Sequence, residues 1–325
     1  MRAVVCKRFG GPEVLEMEDV PDPAPGPGQV LVEVRACSVT FPDLLMLRDR
    51  YQFKPGLPFT PGTEVAGVIR QLGDEVDGLR PGDAVLGSVI AGGGLAELAC
   101  LRADSVVPLP EGVRFEDAAG LLYGYGTSHH ALKDRARLQP GESLLVLGAA
   151  GAVGLAAVEL GRAMGARVIA AASSDEKLAL CRAHGADETV NYSTEDLKER
   201  VRELTGGAGA DVVYDPVGGP YSEPALRATA WEGRFLVIGF AAGDIPRIPL
   251  NLALLRGCSI VGVFWGSFVA RDPQRHRANV AELLEWWKAG RLSPYTSAIY
   301  PLERAADALR DLDERRATGK VVVTP

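Results

Sequence analysis

An apolar run that turns through three glycines into a helix-like segment constrains the fold of this chain most. The run is Leu144-Leu-Val-Leu-Gly-Ala-Ala-Gly-Ala-Val-Gly154, with glycines at positions 148, 151 and 154. Ser143–Leu147 has the character of a buried strand, and Ala152–Met164 has a helical pattern. Glycine lets a backbone approach a pyrophosphate, and a helix N-terminus offers free N–H groups. The GxxGxxG spacing therefore predicts a dinucleotide-binding turn; a turn that only packs helix against strand is the alternative.

Strand-like and helix-like segments alternate after residue 120, which predicts a parallel sheet with helices on both faces. Ser174 can cap a helix over Asp175–Arg182, and Ser193 and Thr194 can cap one over Glu195–Leu204. A helical pattern also covers Tyr221–Ala230. The predicted strands are Ser143–Leu147, Arg167–Ala172, Thr189–Tyr192, Asp211–Asp215, Arg234–Ile238 and Ser259–Phe264.

The first 120 residues have a different pattern, with short strands and frequent Gly and Pro turns. Val30–Cys37 alternates apolar and other residues with a period of two, as a strand with one apolar face does. These signals predict a compact, barrel-like β unit. Towards the end of the chain, apolar residues from Val280 to Trp287 follow helical spacing before Gly290, and Lys320–Thr324 is a predicted strand.

Length and composition indicate an ordinary globular protein in a reducing compartment. The 325 residues correspond to two domains at roughly 150 residues each. A net charge of −7 with mixed signs gives no basic stripe for nucleic acid. Five scattered cysteines form no CxxC pair, and neither a signal peptide nor a membrane span is predicted. We therefore expect a cytoplasmic protein that binds neither nucleic acid nor membrane.

The end of the second predicted strand indicates which dinucleotide is bound. NAD enzymes place an acid there, about 20 residues after the glycine turn, to grip the ribose 2′-OH. This strand ends in Ala170-Ala-Ala-Ser-Ser174, with Lys177 one helical turn further on. Ser173 and Lys177 suit a 2′-phosphate. Asp175 begins the following helix, where its negative charge interacts favourably with the helix dipole. The sequence thus predicts NADPH, although Ser174 acting only as a cap and Lys177 only as a surface residue remain possible.

Motifs along the whole chain resemble those of the medium-chain dehydrogenase/reductase superfamily. They are Val39-Thr-Phe-Pro-Asp43, Pro61-Gly-Thr-Glu-Val-Ala-Gly67, Gly124-Tyr-Gly-Thr127, the turn 148–154, Asn191-Tyr192, Asp211–Gly219 and Gly319–Val323. The resemblance implies a GroES-like β-barrel catalytic domain, over residues 1–122 and 267–325, and a doubly wound Rossmann domain over 123–266. The expected class is α/β.

Zinc-dependent members of this superfamily have a ligand cysteine and a ligand histidine where this chain has Thr40 and Thr63. Threonine hydroxyls are poor zinc ligands, and the four-cysteine lobe of that branch is missing from this sequence. The resemblance is therefore to the zinc-independent quinone oxidoreductases, and no metal is expected. Without a Lewis acid, we expect hydride transfer to an acceptor that is already activated, such as a quinone or a conjugated enone.

The resemblance implies a substrate cleft between the domains, lined by residues 40–51. Quinone oxidoreductases commonly have an asparagine and a tyrosine where this chain has Thr40 and Leu45, so a larger or more apolar substrate is expected. Thr40 can still donate one hydrogen bond. Tyr51 matches the family and is the best candidate for a polar contact to substrate or nicotinamide, with packing as the alternative. Asp43 also matches, and a bracing role for it stays open.

The resemblance also assigns cofactor contacts and an assembly. Tyr192 is expected near the 2′-phosphate or adenosine, and residues 239–240 and 263–264 beside the nicotinamide. A homodimer joined through Ser259–Phe264 is expected, because this apolar segment would otherwise be an exposed sheet edge. The complete set of expected cofactor residues is Thr127, Gly151, Ala152, Val153, Gly154, Ser173, Lys177, Tyr192, Val217, Gly239, Phe240, Val263, Phe264 and Lys320.

Three hypotheses about function follow from these observations. The first is an NADPH:quinone reductase, and the second is a reductase of conjugated enones, including enoyl thioesters and haloacrylates. The third is an NADPH-binding protein without significant catalysis. The glycine turn does not distinguish among them.

Overall fold

The computed structural model describes residues 1–89 and 92–325, and its contacts group the chain into two compact units. Unit 1 contains Met1–Leu122 and Pro294–Pro325, and unit 2 contains Tyr123–Ser293. Among the described residues, no helix is both long enough and apolar enough to cross a bilayer.

Strands occur in both units. In chain order they are β1 (Arg2–Cys6), β2 (Leu15–Asp19), β3 (Gln29–Val39), β4 (Glu64–Leu72), β5 (Ala84–Ser88), β6 (Leu98–Arg102), β7 (Val106–Pro108), β8 (Ser143–Leu147), β9 (Arg167–Ala172), β10 (Glu188–Asn191), β11 (Ala210–Asp215), β12 (Thr229–Val237), β13 (Ser259–Gly262), β14 (Thr296–Pro301) and β15 (Lys320–Thr324).

The helices follow the same order. They are α1 (Phe41–Leu47), α2 (Phe115–Ala118), α3 (Thr127–His129), α4 (Ala152–Ala163), α5 (Asp175–Ala183), α6 (Leu197–Leu204), α7 (Ser222–Arg227), α8 (Asn251–Arg256), α9 (Trp265–Arg271), α10 (Pro273–Lys288) and α11 (Ala305–Asp313). Short π-helical segments at Leu121–Gly126 and His130–Arg135 flank α3.

Unit 1 is built on a mostly antiparallel sheet in the order β14-β15-β3-β4-β5-β7, with β6 also paired to β3. Burial along the long central strand β3 alternates only from Val32 to Ala36, because Leu31 and Cys37, predicted to lie on the opposite face, are also buried. The buried valines of β3 contribute to the core of the unit. Gly67 allows β4 to lie close to β3, since a Cβ at this position would be 2.0 Å from the Glu33 carbonyl oxygen. The β-rich character predicted for the first 120 residues is thus confirmed.

Unit 2 contains a six-stranded parallel sheet in the order β10-β9-β8-β11-β12-β13. Its first strand, β8, lies beside its fourth, β11, so the chain winds outwards in both directions from that pair. This is the doubly wound arrangement, in which ligands bind at the carboxyl ends of the two strands where the winding reverses. The residues of β8 from Leu144 to Leu147 are fully buried, as expected for a strand covered on both faces.

Two local predictions in unit 2 were wrong. The N-cap of α6 is Asp196, whose carboxylate accepts the Glu199 N–H at 2.9 Å, rather than Ser193 or Thr194. The latter two residues form a turn around Asn191 instead. The helix predicted over Tyr221–Ala230 is limited to α7, because the chain enters β12 at Thr229.

Residues 267–293 lie in unit 2, whereas the sequence assigned them to the first domain. The physical reason is aromatic packing of α9 and α10 against the segment around α3. Phe268 stacks on His130 with ring centroids 3.8 Å apart, and Trp286 meets His129 edge to face. Asn279 also donates a 2.9 Å hydrogen bond to Asp134.

Candidate cofactor and substrate sites

The glycine turn between β8 and α4 is tightly packed. Gly148 has φ of +55°, a left-handed conformation that favours glycine. A Cβ on Gly154 would lie 2.3 Å from the Gly148 carbonyl oxygen, so the first turn of α4 sits directly against the loop. The N-cap is Gly151, which provides no side-chain cap, and Ala152 and Val153 are only half-buried. The first N–H groups of α4, which have no partners within the helix, can therefore bind an anion.

The loop after β11 lies against this turn. Asp215 is buried and accepts hydrogen bonds from the Val217 and Gly218 N–H groups and from the Ser222 hydroxyl. Burial raises the pKa of Asp215, and these three donors oppose that shift. Asp215 therefore fixes the loop that carries Val217, whose side chain comes within 2.8 Å of where a Gly148 Cβ would stand.

Two further predicted cofactor residues lie beside the same loop. A Cβ on Gly239 would be 3.4 Å from the Pro216 carbonyl oxygen, and one on Gly218 would be 2.8 Å from the Phe240 ring. The structure thus brings Val217, Gly239 and Phe240 together with the glycine turn. Sequence reasoning did not identify Asp215 as a site residue, although its position at the end of a predicted strand was a usable signal.

The segment around α3 is bonded to the start of α4. Ser128 donates to the Gly124 or Val153 carbonyl oxygen, at 2.9 and 2.8 Å, and its hydroxyl lies 2.8 Å from that of Tyr214. The neighbouring Thr127 is half-buried. Val263 and Phe264 follow β13, where Val263 is buried and Phe264 is 45% exposed.

The residues predicted to bind the 2′-phosphate or adenosine, Ser173, Lys177 and Tyr192, follow the carboxyl ends of β9 and β10. The Lys177 ammonium is 3.5 Å from the Ser173 hydroxyl, and Ser193 donates to the Ser173 carbonyl at 3.0 Å. The Tyr192 ring packs on Tyr221 with centroids 4.3 Å apart. Ser174 caps α5, as predicted, by accepting the Lys177 N–H.

The candidate substrate residues of unit 1 start at α1. Thr40 is its N-cap, and both its N–H and its hydroxyl donate to the same Asp43 carboxylate oxygen at 2.7 Å. The other Asp43 oxygen accepts the Gly62 N–H at 2.9 Å. Burial raises the pKa of the fully buried Asp43, while these hydrogen bonds act in the opposite direction. Asp43 therefore braces α1 against the 62–64 segment.

The positions that hold zinc ligands in related enzymes lie close together in this chain. The Thr40 and Thr63 hydroxyl oxygens are 3.4 Å apart. The nearby Cys37 is fully buried, and burial raises its pKa well above the ordinary value, which keeps it a thiol. The Glu64 carboxylate accepts the Leu122 N–H at 2.7 Å. Across residues 1–89 and 92–325, no three His, Cys, Asp or Glu side chains are grouped to hold a metal ion. These donors do not fit a catalytic zinc.

Leu45, Tyr51 and Lys320 complete the set of predicted residues. Leu45 is half-buried on α1, and the half-buried Tyr51 ring packs on the core of unit 1 and meets Phe53 edge to face at 5.9 Å. Lys320 is only 4% exposed, and its ammonium donates to the Asp117 and Ala119 carbonyl oxygens at 2.6 and 2.7 Å. Lys320 thus ties β15 to the end of α2, and its predicted contact with a cofactor stays a prediction.

Comparison with known proteins identifies the family of both parts of the chain. The family described as alcohol dehydrogenase GroES-like domain matches residues 26–111, and the one described as zinc-binding dehydrogenase matches 152–286. A quinone oxidoreductase-like protein 2 homolog from Nematostella vectensis is 42% identical over 99% of this chain and 88% of its own length.

Solved structures agree with this relationship. A quinone oxidoreductase from Pseudomonas syringae superposes with a TM-score of 0.94 at 34% identity, covering 100% of this chain and 99% of that one. The Escherichia coli quinone oxidoreductase complexed with NADPH superposes with a TM-score of 0.93 at 27% identity, covering 100% of both chains. The predicted α/β class, with GroES-like and Rossmann parts, is confirmed, and the chain belongs to the quinone oxidoreductase branch of the medium-chain dehydrogenase/reductase superfamily.

Proposed function

We propose that this protein is an NADPH-dependent reductase that transfers hydride to a quinone without zinc. The observation that carries the dinucleotide part of the proposal is the glycine turn, where Gly154 packs against the Gly148 carbonyl oxygen and the N-cap of α4, Gly151, provides no side-chain cap. Relatives described as quinone oxidoreductases, one of them solved with NADPH, support the choice of cofactor and acceptor.

The residues of unit 2 have separate tasks in holding the dinucleotide. The N–H groups at the start of α4 bind the pyrophosphate, and the loop fixed by Asp215 supports that site. Ser173, Lys177 and Tyr192 bind the 2′-phosphate with hydroxyl and ammonium donors. The bound NADPH supplies the hydride, and the protein's part is to position it and exclude water.

The reaction then depends on an acceptor that can carry negative charge on oxygen. Because Thr40 and Thr63 are poor ligands for a metal ion that could act as a Lewis acid, the substrate must already be electrophilic, as quinones are. The Thr40 hydroxyl donates to Asp43, so Tyr51 is the stronger candidate to donate a hydrogen bond to the developing oxyanion.

The test follows NADPH absorbance during quinone reduction by Tyr51→Phe. We expect kcat to fall by about 10²-fold, the usual effect of losing one oxyanion donor. Tyr300→Phe is the matched control, because it removes another half-buried hydroxyl of unit 1, one that donates to Asp311. Equal kcat values for both variants would contradict the role of Tyr51, and absence of NADPH oxidation by the wild type would contradict the proposed function.

A second candidate is reduction of conjugated enones, enoyl thioesters or haloacrylates. The apolar Leu45 favours it, because the tyrosine common at this position in quinone oxidoreductases is lost. Turnover of an enoyl thioester above that of a quinone would select this candidate. Stoichiometric NADPH binding without turnover of any acceptor would instead select a binding protein without catalysis.

We also propose that the protein forms a homodimer through the β13 edge of the unit 2 sheet. Edge strand β13 exposes Ile260, which is 41% accessible, and exposed apolar side chains also occur in α8 at Leu254 (79%) and in the neighbouring strand β12 at Trp231 (69%). A second copy would pair its own β13 there, which removes two exposed edges at once. Light scattering should give a dimeric mass that Ile260→Lys reduces to a monomer, while Ile299→Lys on edge strand β14 leaves it unchanged. A monomeric wild type would contradict the proposal.

A cytoplasmic location is the last part of this proposal. All five cysteines are unpaired, which suits a compartment that keeps thiols reduced. Fractionation of the source cells, with detection of the native chain, tests it, and recovery in an oxidising compartment would contradict it.

A further inference from the structure

We propose that Asn191 is a positioning residue that makes this protein select NADPH over NADH, by holding the Asp175 carboxylate away from the 2′ position of the cofactor. The inference rests on the proposed function and deepens it. It concerns the acidic side chain of Asp175, which begins α5 directly after Ser173 and Ser174, the two residues that follow β9.

The geometry is a short contact between the ends of neighbouring strands. Asn191 ends β10 and pairs in register with Ala172, the last residue of β9. Its side-chain amide donates to an Asp175 carboxylate oxygen at 2.9 Å. Asn191 is only 9% exposed, so its amide is held in place by its surroundings.

The orientation of the amide is fixed by a second bond. The Asn191 side-chain oxygen accepts the Ser193 N–H at 3.2 Å, which leaves the NH2 group facing Asp175. The Asn191 backbone N–H in turn donates to Glu195 at 2.7 Å. The Asp175 carboxylate therefore has a rigid, neutral partner on the side of β10.

Asp175 lies three residues beyond the end of β9, and a carboxylate that turned from there towards the 2′ position would favour NADH over NADPH. A carboxylate at the tip of the second strand accepts the ribose 2′-OH of NAD and repels a 2′-phosphate. Asp175 lies two residues from Lys177, the cation proposed to bind that phosphate. When Asp175 is hydrogen-bonded to Asn191, its negative charge still stabilises the start of α5 through the helix dipole. The 2′-phosphate can then bind without repulsion from this carboxylate.

The experiment measures binding of 2′,5′-ADP and of 5′-AMP by titration calorimetry, without turnover. Asn191→Ala frees the carboxylate, so we expect Kd for 2′,5′-ADP to rise by about tenfold, the effect of one charge within about 6 Å at a protein surface. Kd for 5′-AMP should stay unchanged or fall. Asn191→Ser, whose side chain is too short to reach Asp175, should do the same if the alanine variant folds poorly.

A double-mutant cycle separates this role from general support of the fold. In the Asp175→Asn background, Asn191→Ala should no longer change the ratio of the two Kd values. Asn279→Ala is the matched control, because it removes an equally short Asn–Asp bond elsewhere in unit 2. It should lower thermal stability without changing the ratio.

Two results would overturn the inference, and only one of them would also overturn the proposed use of NADPH. A wild type that prefers 2′,5′-ADP, with the same preference in Asn191→Ala and Asn191→Ser, overturns the role of Asn191 alone. A wild type with no preference for 2′,5′-ADP over 5′-AMP overturns both this inference and the proposed use of NADPH.

Discussion

Gly154→Ala is the most direct structural test of the dinucleotide-binding turn. The new Cβ would lie 2.3 Å from the Gly148 carbonyl oxygen and 2.9 Å from the Ala149 Cα, both backbone atoms that cannot rotate away. A comfortable contact needs about 3.5 Å, so loop and helix must separate by roughly 1 Å. Overpacking of this kind costs about 1–3 kcal/mol, and the better helix propensity of alanine returns about 1 kcal/mol. We expect a net loss of up to about 2 kcal/mol in the free energy of unfolding.

The larger effect should be on nucleotide affinity. A shift of about 1 Å takes N–H groups at the start of α4 out of hydrogen-bonding distance of a pyrophosphate, since such bonds weaken steeply with length. Loss of one charge-assisted bond, at about 1.5–3 kcal/mol, raises Kd by at least tenfold. Denaturant unfolding gives the stability, and titration with NADPH gives the affinity.

Gly161→Ala provides a control within the same helix. Its Cβ would meet the Leu144 and Val168 side chains at 2.6 and 3.0 Å, two turns away from the glycine turn. It should cost comparable stability and leave nucleotide affinity unchanged. If Gly154→Ala loses stability but binds NADPH as tightly as Gly161→Ala does, the turn does not hold the dinucleotide and the reasoning is refuted.

Three further predictions concern charged groups. Lys177→Ala should weaken NADPH binding by about 1–3 kcal/mol and leave NADH binding unchanged; equal losses would show that Lys177 does not read the 2′-phosphate. Burial lowers the pKa of His276 to about 4, so between pH 6.5 and 4 the unfolded chain binds more protons and stability falls by about 3 kcal/mol. Denaturant melts of His276→Gln should show a flatter pH dependence, and an unchanged slope would contradict this. Lys320→Met should lower the free energy of unfolding by about 2–4 kcal/mol, because carbonyls such as that of Ala119 lose their donor; a loss of NADPH affinity at unchanged stability would indicate a cofactor contact instead.

The sequence predicted best where a local pattern decides the structure. β15 begins and ends at the predicted residues, and β11 differs by one, since both are apolar runs bounded by turn residues. The cap of α5 was predicted because Ser174 directly precedes the helical pattern. The cap of α6 was not, because Ser193 and Thr194 are drawn into a turn with Asn191 and leave the role to Asp196.

Contacts between distant residues explain most of what the sequence could not predict. Thr40 and Thr63 are 23 positions apart, and no local pattern brings their hydroxyls together. Only the resemblance, which places both at zinc-ligand positions, indicates that they are neighbours. Lys320 reaches carbonyls more than 200 positions earlier, so its motif could be read as a cofactor contact. The assignment of residues 267–293 to unit 2 depends on ring packing such as that of Phe268 on His130, which no local pattern contains.

Metal-free turnover is the central claim, and one measurement tests it directly. The protein is treated with a chelator, its residual metal is determined by mass spectrometry, and NADPH oxidation by a quinone is then followed. We predict the same rate before and after treatment, with far less than one zinc per chain, because Thr40 and Thr63 offer no ligand set. A rate that collapses on chelation and returns when zinc is added would contradict the claim.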